Sequence, residues 1–253
     1  MTDATMTDPS GALVTGGAGG IGRAIVERLG RRGDTVFVAD VDYDGAAEVA
    51  AGLVSTGCDA RPLLFDVRDP QAVAEAVAAA DSEAPLATVV NNAGVGWICP
   101  LVDVTPERFD ALMAVNVRGV FFVLQAAARA MIPRGSGAIV NVASTSSFTA
   151  STSPMVPYDT SKGAVRTLTV SAAHELAGTG VRVNAVAPGT VATSLTRSLV
   201  DDPRDLDRLA ETHIPMGRLA SPHEIADAVE YLSSAASSYV TGHVLVVDGG
   251  WLT

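Results

Sequence analysis

Tyr158 and Lys162 stand four residues apart in a segment that reads as helix, so their side chains share one face. A tyrosine near its ordinary pKa of about 10 is almost wholly protonated at neutral pH and is a poor base. An ammonium on the same face stabilises the phenolate and brings the phenol towards a working range. The pair sits about one strand and loop after Ser144, which ends a strand. A second cluster suits phosphate. The run Gly16-Gly17-Ala18-Gly19-Gly20-Ile21-Gly22 follows the apolar Ala12-Leu13-Val14 and precedes a segment that places Ile25, Val26 and Leu29 on one helical face. Glycines let a backbone turn tightly against a pyrophosphate, and the helix start offers free N–H groups and the positive end of a dipole. Two registers fit the spacing, Gly17/Gly19/Gly22 and Gly16/Gly20/Gly22. Asp40 closes the next strand near the spacing expected of a ribose ligand.

These groups need a frame. Thr35 to Asp40 is β-branched and apolar throughout, as in a parallel strand buried on both faces. Further strands are expected at 60–66, 86–90, 137–143, 181–187 and 244–247. Helices are expected over about 43–55, 70–81, 105–131, 157–177 and 221–234. Asp69-Pro70 and Thr105-Pro106 each pair an N-cap with proline in the first turn, and Ser221 with Glu224 forms a capping box. Strands alternating with helices predict an α/β fold: a single Rossmann-type doubly wound domain over 10–253, a seven-stranded parallel sheet with helices on both faces. The Thr/Asp-rich residues 1–9 are expected to be a disordered tail. The stretch 188–215 is the only long irregular one and carries Asp201, Asp202, Asp205, Asp207 and Glu211; it is expected to be a solvated mobile flap over the substrate, not a metal site. In such a sheet ligands bind beyond the carboxyl ends of the strands, where Asp40, Asp66, Asn91, Asn92, Ser144 and the Pro188-Gly189-Thr190 turn converge.

Composition narrows the partners. The formal net charge of −11 disfavours nucleic acid and anionic membrane. Cys58 and Cys99 lie far apart, which suits reduced thiols and a cytoplasmic location, and neither they nor the histidines show zinc-ligand spacing. The most apolar window, 115–124, is short and holds Asn116 and Arg118, so no membrane span is expected.

The chain resembles a classical short-chain dehydrogenase/reductase from about Ser10 onward. Thr15-Gly16-x-x-x-Gly20-Ile21-Gly22 matches that family's glycine motif and selects the second register. Asn91-Asn92-Ala93-Gly94 matches its motif after the fourth strand. Asn116, Ser144, Tyr158 and Lys162 fall on its catalytic tetrad, and Pro188-Gly189-Thr190-Val191-Ala192-Thr193 on the segment closing over the nicotinamide. Ala143, where a second serine is common, and Asp159-Thr160 are minor departures. The resemblance implies proton exchange by Tyr158, ribose binding and pKa depression by Lys162, a substrate-oxygen contact from Ser144 and a relay water on Asn116. It implies a cofactor site drawn from Gly16, Gly19, Gly20, Ile21, Gly22, Asp40, Val41, Asp66, Val67, Asn91, Asn92, Ala93, Gly94, Tyr158, Lys162, Pro188, Gly189, Val191 and Thr193.

The expected activity is hydride transfer between NAD(H) and a small secondary alcohol or ketone. A 3-oxoacyl thioester reductase is the alternative, and a non-catalytic dinucleotide sensor is the reading from another class. NAD is expected because the Asp40 carboxylate can accept from ribose hydroxyls and would repel a 2′-phosphate, and neither Gly19 nor Val41 offers a cation. Trp97, Phe148, Met155, Val156 and Leu195 flank the catalytic groups, and their apolar character predicts a ring or alkyl substrate. Helices 105–131 and 157–177 carry few charges, with Phe121, Phe122, Val165, Leu168 and Val170 spread around them, and 244–252 is also apolar. Covering both faces predicts a homotetramer.

Overall fold

The computed structural model describes residues 10–200 and 202–253. The expected tail 1–9 and Asp201 lie outside the described residues. Strands β1 (Gly11–Thr15), β2 (Thr35–Asp40), β3 (Ala60–Leu64), β4 (Leu86–Asn91), β5 (Gly137–Val142), β6 (Val181–Pro188) and β7 (Val244–Val247) form one sheet in the order β3-β2-β1-β4-β5-β6-β7. Every neighbouring pair is parallel. Helices α1 (Gly20–Arg32), α2 (Tyr43–Ser55), α3 (Pro70–Glu83), α4 (Pro106–Met113), α5 (Val120–Met131), α6 (Val156–Leu176), α7 (Ser194–Ser198), α8 (Arg204–His213) and α9 (Pro222–Ser233) complete the fold. This is the expected Rossmann-type architecture.

The strand side chains alternate between two cores, as the period of two requires. Val14, Val38, Val90 and Val140 pack with Ile25 and Leu29 of α1 and Ile225 and Val229 of α9. Leu13, Phe37, Val89 and Ile139 pack on the other face with Val73 of α3, Val123 of α5 and Ala173 of α6. The order reverses at β1, which pairs with β2 on one side and β4 on the other, and that reversal opens a crevice at the strands' carboxyl ends.

Two expectations change. The helix over 105–131 is not uniform: residues Ala114–Gly119, between α4 and α5, wind as a π-helix. The whole run Pro106–Arg134 is long and apolar enough to cross a membrane, contrary to the reading of its short window, but half of its most apolar stretch is inside the fold. Burial against the sheet and α3 accounts for that hydropathy. The stretch 188–215 is also not irregular: it holds α7 and α8, with Leu206 and Ala210 of α8 buried.

Candidate active site

Backbone conformation selects the glycine register. Gly16 and Gly20 have φ of +66° and +54°, in the region where L side chains are strained. A Cβ on Gly22 would collide with the Gly16 carbonyl, whereas Gly19 is extended at φ −160° with open space around it. Thus Gly16, Gly20 and Gly22 are the positions the turn requires. Asn92 holds the turn shut: its Nδ2 donates to the Thr15 and Gly16 carbonyls at 3.0 Å each, and its N–H donates to Thr15 Oγ1 at 3.0 Å. Asp40 braces the far side, its carboxylate accepting from the N–H groups of Ala18 at 3.0 Å and Asp42 at 3.1 Å. Helix α1 then starts with no side-chain cap and no acid in its first turn. Its free N–H groups face a cleft of about 240 Å³ lined by Gly16, Gly19, Gly20, Ile21, Asn92, Ala93 and Gly94, then Ser144, Tyr158 and Lys162, then Pro188, Gly189, Val191 and Thr193. An uncapped helix start, a bare glycine turn and the cleft running from that turn to Tyr158 and Lys162 fit a dinucleotide, with the pyrophosphate at α1.

The residues matched to the catalytic tetrad meet where the β5 end faces α6. The Lys162 ammonium is buried and donates to the Val142 carbonyl at 2.8 Å, leaving two N–H donors free of that bond. Burial pulls its pKa down to about 8. Its Nζ lies 5.6 Å from the centre of the Tyr158 ring. Burial pushes the Tyr158 phenol up from its ordinary value, a hydrogen bond with Ser144 opposes that, and the neighbouring Asp159 charge adds to it. The downward shift expected from the lysine is not what this arrangement gives: desolvation is the largest influence on the phenol and raises it. Ser144 Oγ also accepts from the Ser146 N–H at 3.1 Å.

Asn116 is fully buried on the π segment, behind the cleft. Its Oδ1 accepts from the Val95 N–H at 2.9 Å, and its Nδ2 donates to the Val95 carbonyl at 2.8 Å and to Ser161 Oγ at 3.1 Å. Both amide protons are used, so the side chain ties the loop after β4 to α6, and only a lone pair on Oδ1 remains for the expected relay water. A Cβ on Gly94 would lie 3.5 Å from Asn116 Oδ1 and 3.6 Å from Lys162 Nζ, so both groups border Gly94.

A second cavity, of about 480 Å³, opens from Ser144 and Tyr158 away from the glycine turn. Hydroxyls contribute a large part of its wall: Thr145, Ser146, Thr149, Ser151, Thr152, Ser153, Thr190 and Thr196. Apolar parts come from Ile98, Met155, Leu195, Leu199, Leu206, Leu209 and Trp251. Met155 and Leu195 are where the sequence placed them. Trp97, Phe148 and Val156 are not in the lining; the Trp97 ring lies under the Arg108 guanidinium at 4.3 Å and the Phe148 ring under that of Arg166 at 4.7 Å. The cavity is therefore mixed: its surface is still somewhat more apolar than polar, and it adds hydroxyls to the apolar pocket expected from those five residues. The hydroxyl run 149–153 carries no periodicity that would have announced it.

Some predicted cofactor residues sit elsewhere than the cleft wall. Asn91 is buried and donates to Asn141 Oδ1 at 2.9 Å, inside the sheet. Val67 is buried where a Cβ on Gly119 would touch it. Asp66 binds the Arg68 guanidinium through both oxygens, and that ion pair holds its carboxyl below the ordinary value. Val41 is 62% exposed beside Asp40 at the β2 end. Val142, Ala143, Ser194 and Thr196 line the cleft unpredicted.

A family profile described as enoyl-(acyl carrier protein) reductase matches residues 16–252. The gluconate 5-dehydrogenase of Gluconobacter oxydans is 40% identical over 240 residues, covering 94% of this chain and 93% of the relative. The galactitol 2-dehydrogenase (L-tagatose-forming) of Cereibacter sphaeroides is 40% identical over 248 residues, covering 96% and 95%. Among solved structures, a gluconate 5-dehydrogenase from Burkholderia cenocepacia in complex with NADP and tartrate superimposes with a TM-score of 0.91, at 38% identity over 97% of this chain and 96% of that one. The chain belongs to the short-chain dehydrogenase/reductase family.

Proposed function

We propose that the protein is an NAD-dependent polyol dehydrogenase that interconverts a secondary alcohol and its ketone. The observation carrying this reading is the hydroxyl-lined cavity that meets the dinucleotide cleft at Ser144 and Tyr158. When bound, the oxidised dinucleotide supplies the hydride acceptor. Tyr158 takes the proton of the substrate hydroxyl, and Ser144 holds the same oxygen. The free donors of Lys162 would hold the ribose, and Asn116 keeps α6 in place against the loop after β4. Because burial raises the phenol, alcohol oxidation rises with pH as Tyr158 ionises.

The preference for NAD rests on Asp40. Its carboxylate is pinned by two backbone N–H groups at the β2 end, where a 2′-phosphate would meet a fixed negative charge. Losing a charged hydrogen bond of about 1.5–3 kcal/mol corresponds to roughly ten- to hundredfold discrimination. The Burkholderia relative is in complex with NADP, and the proposal is that the present chain differs from it at this position. Half-exposed apolar side chains on α5 and α6, Phe121 at 43% and Val170 at 49%, support a homotetramer. The thiols of Cys58 and Cys99 support a reducing, cytoplasmic setting.

Steady-state kinetics on polyols with each cofactor, beside calorimetric NAD binding, test the reading. Tyr158→Phe is expected to lower turnover by the order of 10²–10⁴ while NAD still binds. Near-wild-type turnover in that variant, or equal efficiency with NADP, overturns the corresponding part.

A further inference from the structure

Asp159 lies outside the cleft lining, yet it fixes the direction of the hydrogen bonds that the cavity wall presents. Its carboxylate accepts from the Ser151 N–H at 3.1 Å and from Ser151 Oγ–H at 2.6 Å. A carboxylate only accepts, so the single Ser151 hydroxyl proton is committed to Asp159. Ser151 Oγ and Ser146 Oγ lie 3.1 Å apart, and with the Ser151 proton spent, Ser146 must be the donor of that bond. Ser146 then has no proton left for the cavity and shows it lone pairs alone. Both serines line the cavity, and Ser146 sits two residues beyond Ser144 on the same turn.

A second lining residue repeats the polarity. The only charged side chain in the cavity lining, among the described residues, is the Asp205 carboxylate of α8, 3.6 Å from Arg208. No arginine or lysine lines the cavity among the described residues. An acceptor-only subsite pairs with a hydroxyl, which can donate, and opposes a carboxylate, which cannot.

We propose that the Asp159–Ser151–Ser146 chain makes this a subsite for a hydroxyl beside the reacting carbinol, so that the enzyme takes uncharged polyols and discriminates against aldonates. The proposal rests on the polyol reading of the same site and goes further by assigning the sign of its selectivity. Asp159 acts as a positioning residue, through Ser151, and Ser146 is the group that touches substrate.

The test compares kcat and KM for galactitol, xylitol and erythritol with those for D-gluconate, D-xylonate and D-erythronate, at saturating NAD. The wild-type protein is expected to favour a polyol by at least about tenfold in kcat/KM. Ser146→Ala removes the acceptor and leaves its backbone N–H to Ser144. It is expected to lower polyol kcat/KM by about two- to tenfold, mainly through KM, and to narrow the polyol-to-aldonate ratio. Asp159→Ala frees the Ser151 proton and is expected to narrow the same ratio, with its fold checked by circular dichroism. Aldonates used as well as polyols, or a ratio unmoved by Ser146→Ala, overturn the subsite while leaving the dehydrogenase reading intact. Oxidation of neither class overturns both.

Discussion

Helices α1 and α9 lie side by side on one face of the sheet, sharing a core through Ile25, Leu29, Ile225 and Val229, yet they begin in opposite ways. The start of α9 is closed: Ser221 Oγ accepts from the His223 N–H at 3.3 Å, and Glu224 accepts from the Ser221 N–H at 2.8 Å. Arg218 grips the same glutamate at 2.7 and 2.8 Å. The start of α1 is open, with a glycine in the N-cap position and no side chain to meet its N–H groups. A cap is typically worth about 1 kcal/mol. At α9 the chain takes that stability; at α1 it leaves the donors for a ligand. The difference separates a helix that serves the fold from one that serves the site.

The largest blow to this contrast comes from filling the turn. Gly22→Ala drives a methyl into the Gly16 carbonyl and the Asn92 amide, the two groups that hold the phosphate turn together. Unfolding titrations should show a loss of about 1–3 kcal/mol, and calorimetry an NAD affinity weakened at least about 100-fold, roughly 2.8 kcal/mol. A milder change sharpens the comparison by making α1 resemble α9. Gly19 is extended with nothing near its Cα, so Gly19→Asp fits and supplies the missing cap. The ligand-free protein should gain a few tenths of a kcal/mol, while NAD affinity falls about tenfold as a carboxylate takes the place meant for phosphate.

The smallest effect is read at α9 through pH. The Arg218 side chain, helped by the Ser221 N–H, holds Glu224 down at about 2. Since the folded value is depressed, its contribution is complete above the ordinary value of 4.5 and is lost as pH falls towards 2. The pair is exposed, so solvent screening keeps that contribution below about 1 kcal/mol. Glu224→Gln should therefore narrow its stability gap to wild type between pH 5 and pH 2.5 in urea titrations, with turnover unchanged at pH 7.

Much of this was legible in the sequence because strong local signals produced it. Pro70, Pro106 and Pro222, each behind a capping side chain, start α3, α4 and α9 where expected, and Val244–Val247 forms β7. The π segment was not legible, since one extra residue per turn over Ala114–Gly119 barely disturbs an apolar pattern of period 3.6. Helix α8 escaped notice under its acids, although Leu206 and Ala210, four apart and buried, were the signal that could have shown it. Asn91 and Asn92 illustrate the limit most sharply. Adjacent residues at a strand end point to opposite faces, so one joins the sheet core while the other locks the glycine turn.

The buried amide of Asn116 has a consequence for how the molecule breathes. Val95 lies in an irregular stretch and its residue surface is 40% exposed, yet its N–H is held at 2.9 Å by a side chain that meets no solvent. Deuterium can replace that proton only when the π turn releases its grip, so a loop amide keeps the slow clock of the core helix behind it.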